Sequence, residues 1–333
     1  MRYIALPDNG IRRLSFYLAM EEYVARHMDE SDCFFMWQVD PSVIFGRNQL
    51  IENEVNVEFC RRRGIRMYRR KSGGGCVYAD MKNIMFSYVT AEDNVGFTFN
   101  RYINMVALVL CRLGVDARAN GRNDIMIGDR KVSGNAFYKL PGRSIVHGTM
   151  LYDTDMENMV GSITPTDAKL LSKGVQSVRQ RIALLKDYID KDIEEFKTFV
   201  RASLCTGEVM LTAGDIAAIE TIERGYLTDE FIYGRNPRYT VTRRSRIEGV
   251  GEMEVRMELK NGIIKAVNIM GDYFQTGDID TMIIAPLIGK RLAAAELTAA
   301  LPERTEDVVM NLSRDKLVKL LAAPPGLPEG EEK

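Results

Sequence analysis

Histidine is nearly missing from this chain: its 333 residues include only His27 and His147. A metal site built on several histidines is therefore excluded. Cysteine is sparse as well. The five residues Cys33, Cys60, Cys76, Cys111 and Cys205 are odd in number and widely spaced, with no Cys-x-x-Cys. This argues against a disulfide framework or a thiolate zinc site and for a reducing compartment. An excess of one charge is also lacking, since 45 Lys and Arg face 46 Asp and Glu for a formal net charge of -1. No chain-wide positive surplus exists to neutralise a nucleic-acid backbone, so nucleic acid is not an expected partner. Apolar runs are short, and the longest, near residues 105–111, cannot span a bilayer. The opening MRYIALPDNGIRRLSFYLAMEEYV is interrupted by Pro7, Asp8, Arg12 and Arg13, unlike a signal peptide. The expectation is a soluble, cytoplasmic chain with no membrane partner. Repeats at a solenoid period, a P-loop and the dinucleotide fingerprint Gly-x-Gly-x-x-Gly are absent too.

What is present is ordinary globular material. Hydrophobic residues make up 46% and charged residues 27%, enough for a core. The length suggests about two domains. Helical spacing of apolar groups marks residues 14–28, where Glu21 and Glu22 are adjacent, and residues 54–63 and 97–113, which end at Gly64 and Gly114. Short apolar or alternating runs at 33–38, 42–46, 65–70 and 75–90 predict strands, with a glycine run connecting the last two. Several short strands follow between Asp116 and Asp153, then a helical stretch from Met156 to about Tyr226. A turn-rich crossing segment over 226–245 includes Tyr233-Gly234-Arg235-Asn236-Pro237. The runs 252–259 and 263–269, joined by Lys260-Asn261-Gly262, predict a hairpin, and 278–322 predicts helix. We expect a large mixed domain over residues 1–245, a smaller one over 246–322, and a disordered tail over 323–333.

The segment RRKSGGGCVYAD, residues 69–80, carries the first chemical signal. Three cations precede Ser72 and three consecutive glycines. Glycines let a backbone approach a ligand and present N–H donors, and the cations add charge, which suits a carboxylate or phosphate. A surface hairpin with solvated charges is the competing reading. In NGRNDIMIGDRKVSGNA, residues 120–136, Asn123 and Asp124 sit at the Gly121 turn. Asp124 suits Mg²⁺, which prefers oxygen ligands while bridging phosphates; the alternative is a turn whose side chains bond their own backbone. Lys131, beside Ser133 and Gly134, can touch a carboxylate and a phosphate at once. His147 lies among apolar residues in VHGTML, a setting that also suits a structural histidine. Phe45-Gly46-Arg47-Asn48-Gln49 forms another polar turn after a strand.

Taken in order, RRKSGGGCVYAD, NIMFSY, NGRNDIMIGDRKVSGNA and HGTMLYDTD resemble the lipoate–protein ligase A family. FGRNQ at 45–49 and KGVQSVRQRIALL at 173–185 extend the resemblance over most of residues 10–245, and NGIIKAVNIMGDYF at 261–274 looks like the accessory C-terminal domain of longer members. The resemblance implies an α+β fold related to biotin–protein ligase, with a mixed sheet packed by helices. It implies that lipoate and Mg-ATP give lipoyl-AMP and pyrophosphate. The lipoyl group then passes to a lysine of a lipoyl domain, in acyltransferase subunits of 2-oxoacid dehydrogenases or the glycine-cleavage H protein. By motif, Lys131 and Arg70 are the implied catalytic residues. Arg70, Gly75, Cys76, Val77, Tyr78, Asn83 and Lys131 contact ATP or the adenylate. Ser72, Gly73, Gly74, Lys131, Gly134 and His147 contact lipoate, and Asp124 holds Mg²⁺.

Two positions depart from the family's pattern. Ala79 stands where a histidine often precedes the aspartate closing the glycine motif, and Val146 where the first of two histidines often stands before Gly-Thr. An octanoyl or lipoyl transferase of the same superfamily is the main alternative. Such enzymes use a cysteine nucleophile near the lysine motif or after the His-Gly segment, and residues 116–170 contain no cysteine. A biotin ligase arranges its glycine-rich loop differently. A catalytically weak lipoate-binding protein is the non-enzymatic reading.

Overall fold

A computed structural model describes residues 1–8, 10–49, 51–92, 94–121, 123–163, 180–233, 241–260 and 262–323. The chain forms two compact units. The first is Met1–Phe45, Ile51–Lys71 and Cys76–Tyr233; the second, as far as it is described, is Gly46–Leu50, Ser72–Gly75 and Gly234–Lys333.

The strands, in chain order, are β1 (Arg2–Ala5), β2 (Asp32–Trp37), β3 (Ser42–Phe45), β4 (Arg66–Arg69), β5 (Val77–Ala79), β6 (Ile84–Thr90), β7 (Ala117–Ala119), β8 (Asp124–Ile127), β9 (Arg130–Leu140), β10 (Arg143–Met150), β11 (Gly207–Met210), β12 (Val241–Ile247), β13 (Gly251–Lys260) and β14 (Ile263–Gly271). In the first unit an eight-stranded sheet has the order β11-β1-β2-β6-β10-β9-β8-β7. The pairs β11–β1 and β1–β2 are parallel, and the remaining pairs antiparallel. The sheet is therefore mixed, as expected of the α+β class. A small second sheet has the order β4-β3-β5.

Local signals define the helices. Asn56 caps Val57–Arg63 by accepting from Phe59 N–H, and Gly64 ends it in the left-handed region at φ 66°. Asn94 caps Val95–Arg112 in the same way. Ile193–Leu204 and Ala213–Tyr226 begin with reciprocal capping boxes, Asp192 with Glu195 and Thr212 with Asp215. Leu14–His27 is buried at every position from Leu14 to Ala25. It packs on Ala213–Tyr226 and across β6 and β10, and its apolar residues join Trp37, Ile44, Ala79 and Met85 in one core cluster.

Two expectations change. The stretch from Met156 to Tyr226 is not helical throughout, because β11 pairs residue for residue with β1 at the sheet edge. Four residues are too few to show a period, and their partner is remote in sequence. The run 75–90 is two strands, not one. Asp80 Oδ1 accepts from Lys82 N–H and Asn83 Nδ2, making a turn between β5 and β6. Moreover β4 and β5 do not pair with each other; both flank β3.

The second unit contains the antiparallel sheet β12-β13-β14. The expected hairpin is β13 and β14, with Gly262 at φ 74°; Asn261 lies outside the described residues. Val255, Met257, Ile264 and Ile269 pack against Ile283, Leu287, Leu297, Leu317 and Leu321 from the helical segments that follow. Strand β12 crosses residue 245 and pairs along its length with β13. Residues 173–179, 234–237 and 324–333, which belong to the ligase-like segment, the crossing segment and the expected tail, lie outside the described residues.

Candidate active site

Strand pairing brings three of the sequence motifs onto adjacent rungs. On β10, His147 lies opposite Ser87 of β6 and Ala136 of β9, and Gly148 lies opposite Phe86 and Asn135. NIMFSY, KVSGNA and VHGTM are thus neighbours although far apart in sequence. Gly148 is required here, since a Cβ would come within 1.9 Å of Asn135 Oδ1. Asn135 in turn holds the Asn123 turn: its backbone N–H and Nδ2 both donate to Asn123 O, at 2.9 and 3.0 Å.

Lys131 is placed by an irregularity. Met126 pairs with Lys131 but Ile125 with Ser133, so Val132 is an extra residue on β9. Residues three apart on a regular strand face opposite sides; the inserted residue puts Lys131 and Gly134 on the same side. A Cβ on Gly134 would lie 2.6 Å from both Cε and Nζ of Lys131. The amine is half-exposed and sits 2.7 Å from Asp124 Oδ1. Asp124 Oδ2 accepts from Asn120 Nδ2, and Asn120 Oδ1 accepts from the N–H groups of Asn123 and Asp124. Asn120 therefore closes the turn on its own backbone and leaves Asp124 to face the lysine. Among the described residues no three His, Cys, Asp or Glu side chains gather to hold a metal ion.

The three consecutive cations before the glycines diverge. Arg69 donates through Nε to Ile232 O and covers the Phe45 ring, a structural pin. Lys71 Nζ pairs with Glu22 at 2.5 Å and lies over Tyr226. A cavity of about 570 Å³ opens there, lined also by Arg26, His27 and Phe231; among the expected site residues none lines it. Arg70 points inward, is 5% exposed and donates to Ile44 O at 3.0 Å. Burial pushes its guanidinium down to about 10; it stays protonated at neutral pH.

Sequence reasoning missed the carboxylate at the centre of this region. Glu21 is 0% exposed in the middle of the helix Leu14–His27. It accepts from Ser87 Oγ at 2.6 Å and from Tyr138 OH at 3.5 Å, and His147 Nδ1 lies 2.9 Å from its Oε2. Trp37 Nε1 donates to Ser87 Oγ behind it. The available signal was two adjacent acidic residues inside an apolar helix.

The expected nucleotide residues from Cys76 to Asn83 lie on or beside β5. Cys76 packs among apolar neighbours, and burial pushes its thiol up. Val77 and Tyr78 pair with Ile44 and Val43 of β3. β5 is an edge strand of its sheet, so its outer backbone groups can meet a ligand. Asn83 is buried and spends its amide on Asp80 and, at 3.4 Å, on Thr154.

In the second unit, Ser72, Gly73 and Gly74 are buried and only Gly75 is exposed. This is not the solvated surface hairpin. Arg47 N–H donates to Ser72 O, and Gly74 N–H to Tyr273 O. Gly271 N–H donates to Asn48 O, and Gln49 Oε1 accepts from Gly46 N–H. Gly46-Arg47-Asn48-Gln49 and the glycine run are thus tied to each other and to the Gly271–Tyr273 backbone.

The model of the lipoyl protein ligase A/B catalytic domain matches residues 14–205, and that of the bacterial lipoate protein ligase C-terminus matches residues 236–321. Lipoate–protein ligase 1 of Staphylococcus aureus is 35% identical over 84% of this chain and 87% of its own length. Lipoate-protein ligase LplJ of Bacillus subtilis is 35% identical over 86% and 89%. Among solved structures, a bi-partite lipoate protein ligase of Thermoplasma acidophilum, studied with its E2 lipoyl domain, is similar at TM-score 0.63 and 27% identity, covering 72% of this chain and 98% of that one. A lipoate-protein ligase A bound with ATP is similar at 0.59 and 25%, covering 70% and 98%. P. falciparum LipL1 shares the fold at 0.71 and 18%, covering 97% and 98%.

Proposed function

The chain belongs to the lipoyl protein ligase A/B family, and from that premise we propose that it is an ATP-dependent lipoate–protein ligase. A carboxylate oxygen of lipoate attacks the α-phosphorus of ATP, the bond to the bridging oxygen breaks, and pyrophosphate leaves with that electron pair. The ε-amine of an acceptor lysine, having lost a proton, then attacks the acyl carbon of lipoyl-AMP and AMP departs. The names of the 35% identical relatives support the substrate, and the ATP-bound ligase A supports the nucleotide. The archaeal ligase studied with its E2 lipoyl domain supports a lipoyl domain as acceptor. In this reading the acceptors are acyltransferase subunits of 2-oxoacid dehydrogenases and the glycine-cleavage H protein. Residues 1–245 are catalytic and 246–322 accessory.

The observation that carries the proposal is Lys131, whose amine is laid over Gly134 against Asp124. Carboxylate and polyphosphate repel at contact distance. A fixed ammonium, with the inward guanidinium of Arg70, offsets that repulsion and stabilises the charge of the transition state, while positioning supplies much of the remaining acceleration. The backbone of Gly75 to Tyr78 and Asn83 serve the adenylate. Ser72, Gly73, Gly74, Gly134 and His147 serve lipoate. Mg²⁺ fits as an ion carried mainly by phosphate and water, for which one carboxylate, Asp124, suffices. When bound it neutralises phosphate charge. Among the described residues no helix is long and apolar enough to cross a membrane.

Mass spectrometry of a lipoyl domain incubated with the enzyme, Mg²⁺, lipoate and competing octanoate, with and without ATP, tests the reading. We expect one lipoyl group on one lysine only when ATP is present. Acyl transfer from a donor without ATP would replace it with the transferase reading, and binding of lipoate without pyrophosphate release with the binding-protein reading.

A further inference from the structure

We infer that Glu21 is a positioning residue of lipoate activation: its carboxylate sets the tautomer and orientation of the His147 ring. This rests on the function proposed above.

Packing alone does not call for a carboxylate at this point. Leu18, Met20 and Val24 on the same helix are apolar and buried. A buried carboxylate is costly unless it is paired and hydrogen-bonded. Glu21 gathers donors from three separate strands: Ser87 on β6, Tyr138 on β9 and His147 on β10. Both carboxylate oxygens lie within 3.0 Å of His147 Nδ1.

An ionised carboxylate only accepts. A carboxylate that accepts from Nδ1 fixes the hydrogen there, and in the neutral tautomer this leaves Nε2 as the acceptor. Ser87 oriented by Trp37 Nε1, at 2.9 Å, keeps the carboxylate from rotating. Glu21 thereby governs a residue that the motifs assign to the ligand, yet it belongs to none of those motifs.

With only two histidines in the chain, the tautomer can be read directly. His27 is exposed and stacks on Tyr23, so the full-length His27→Asn protein leaves one imidazole for side-chain ¹⁵N NMR. In this background we expect the Nδ1–H form. Glu21→Gln should shift the tautomer toward Nε2–H and lower kcat/KM for lipoate by about tenfold or more in ATP–pyrophosphate exchange, with KM carrying most of the change. Ser87→Ala, which removes a donor without touching charge, should move both readouts in the same direction by less. An Nε2–H ring in the His27→Asn parent overturns the inference, even if neither variant folds. So does a folded Glu21→Gln protein with parental tautomer and kinetics. If the wild-type enzyme shows no lipoate-dependent exchange, the functional reading fails, and the tautomer measurement still decides what Glu21 does to His147.

Discussion

Gly74 donates its backbone N–H to the carbonyl oxygen of Tyr273 at 3.1 Å. A Cβ on the preceding Gly73 would approach that same oxygen to 2.4 Å. The glycines are thus required by the protein's own backbone as well as by any ligand. Gly73→Ala must push a buried carbonyl aside and should cost about 1–3 kcal/mol. Gly75→Ala meets nothing within 4 Å and should stay within about 0.5 kcal/mol of the parent. Urea denaturation of the two variants checks the contrast; equal stabilities would remove the steric argument.

Lys131→Ala should lower lipoate-dependent ATP–pyrophosphate exchange by about 10²–10³-fold. Its stability should change by no more than about 1 kcal/mol, because the pair with Asp124 is partly exposed. Gly134→Ala is the sharper test. Its Cβ displaces only the flexible end of the lysine, so exchange should fall while the thermal transition holds. An active Gly134→Ala enzyme would show that the amine need not lie where the structure places it.

Burial holds the Cys76 thiol above its ordinary range, whereas Cys111 is exposed. Brief iodoacetamide treatment at neutral pH followed by peptide mapping should find Cys111 modified well before Cys76. Cys76→Ala should keep ATP-dependent lipoylation. Loss of transfer in that variant, with ATP dispensable, would make Cys76 a nucleophile.

Glu22 contributes one part of the pH dependence of stability. Burial pushes its carboxyl up, but Lys71 and Arg26 outweigh burial and leave it below its ordinary 4.5. A carboxyl lowered in the folded state binds fewer protons than in the unfolded chain. Its stabilisation is therefore complete above that ordinary value and is lost as pH falls through the lowered one. The stability gap between wild type and Glu22→Gln should be widest near neutrality and shrink in acid. A gap that grows in acid would reverse the assignment.

Much of the local structure was legible in the sequence. Gly114 closes one helix and Gly64 ends another. Alternation marked β13 and β14 on either side of their turn. β11 was not legible, because four residues inside a helical region become a strand only by pairing with β1. Nor was the division of labour among Arg69, Arg70 and Lys71, whose identical charges give no hint that one bonds the Ile232 carbonyl, one turns inward and one pairs with Glu22.

The sequence by itself determined the order of the motifs, and through it the family, because each motif is a run of neighbouring residues with its own turn and charge chemistry. Caps and periods were likewise written within a few residues of where they act. Tertiary structure alone decided that His147 lies beside Ser87 and Ala136. It also decided that Glu21, 126 residues away, meets the His147 ring, and that Gly73 and Gly74 rest on the Tyr273 carbonyl. Strand register and close backbone approach depend on partners remote in the chain, and no local pattern encodes which partner arrives.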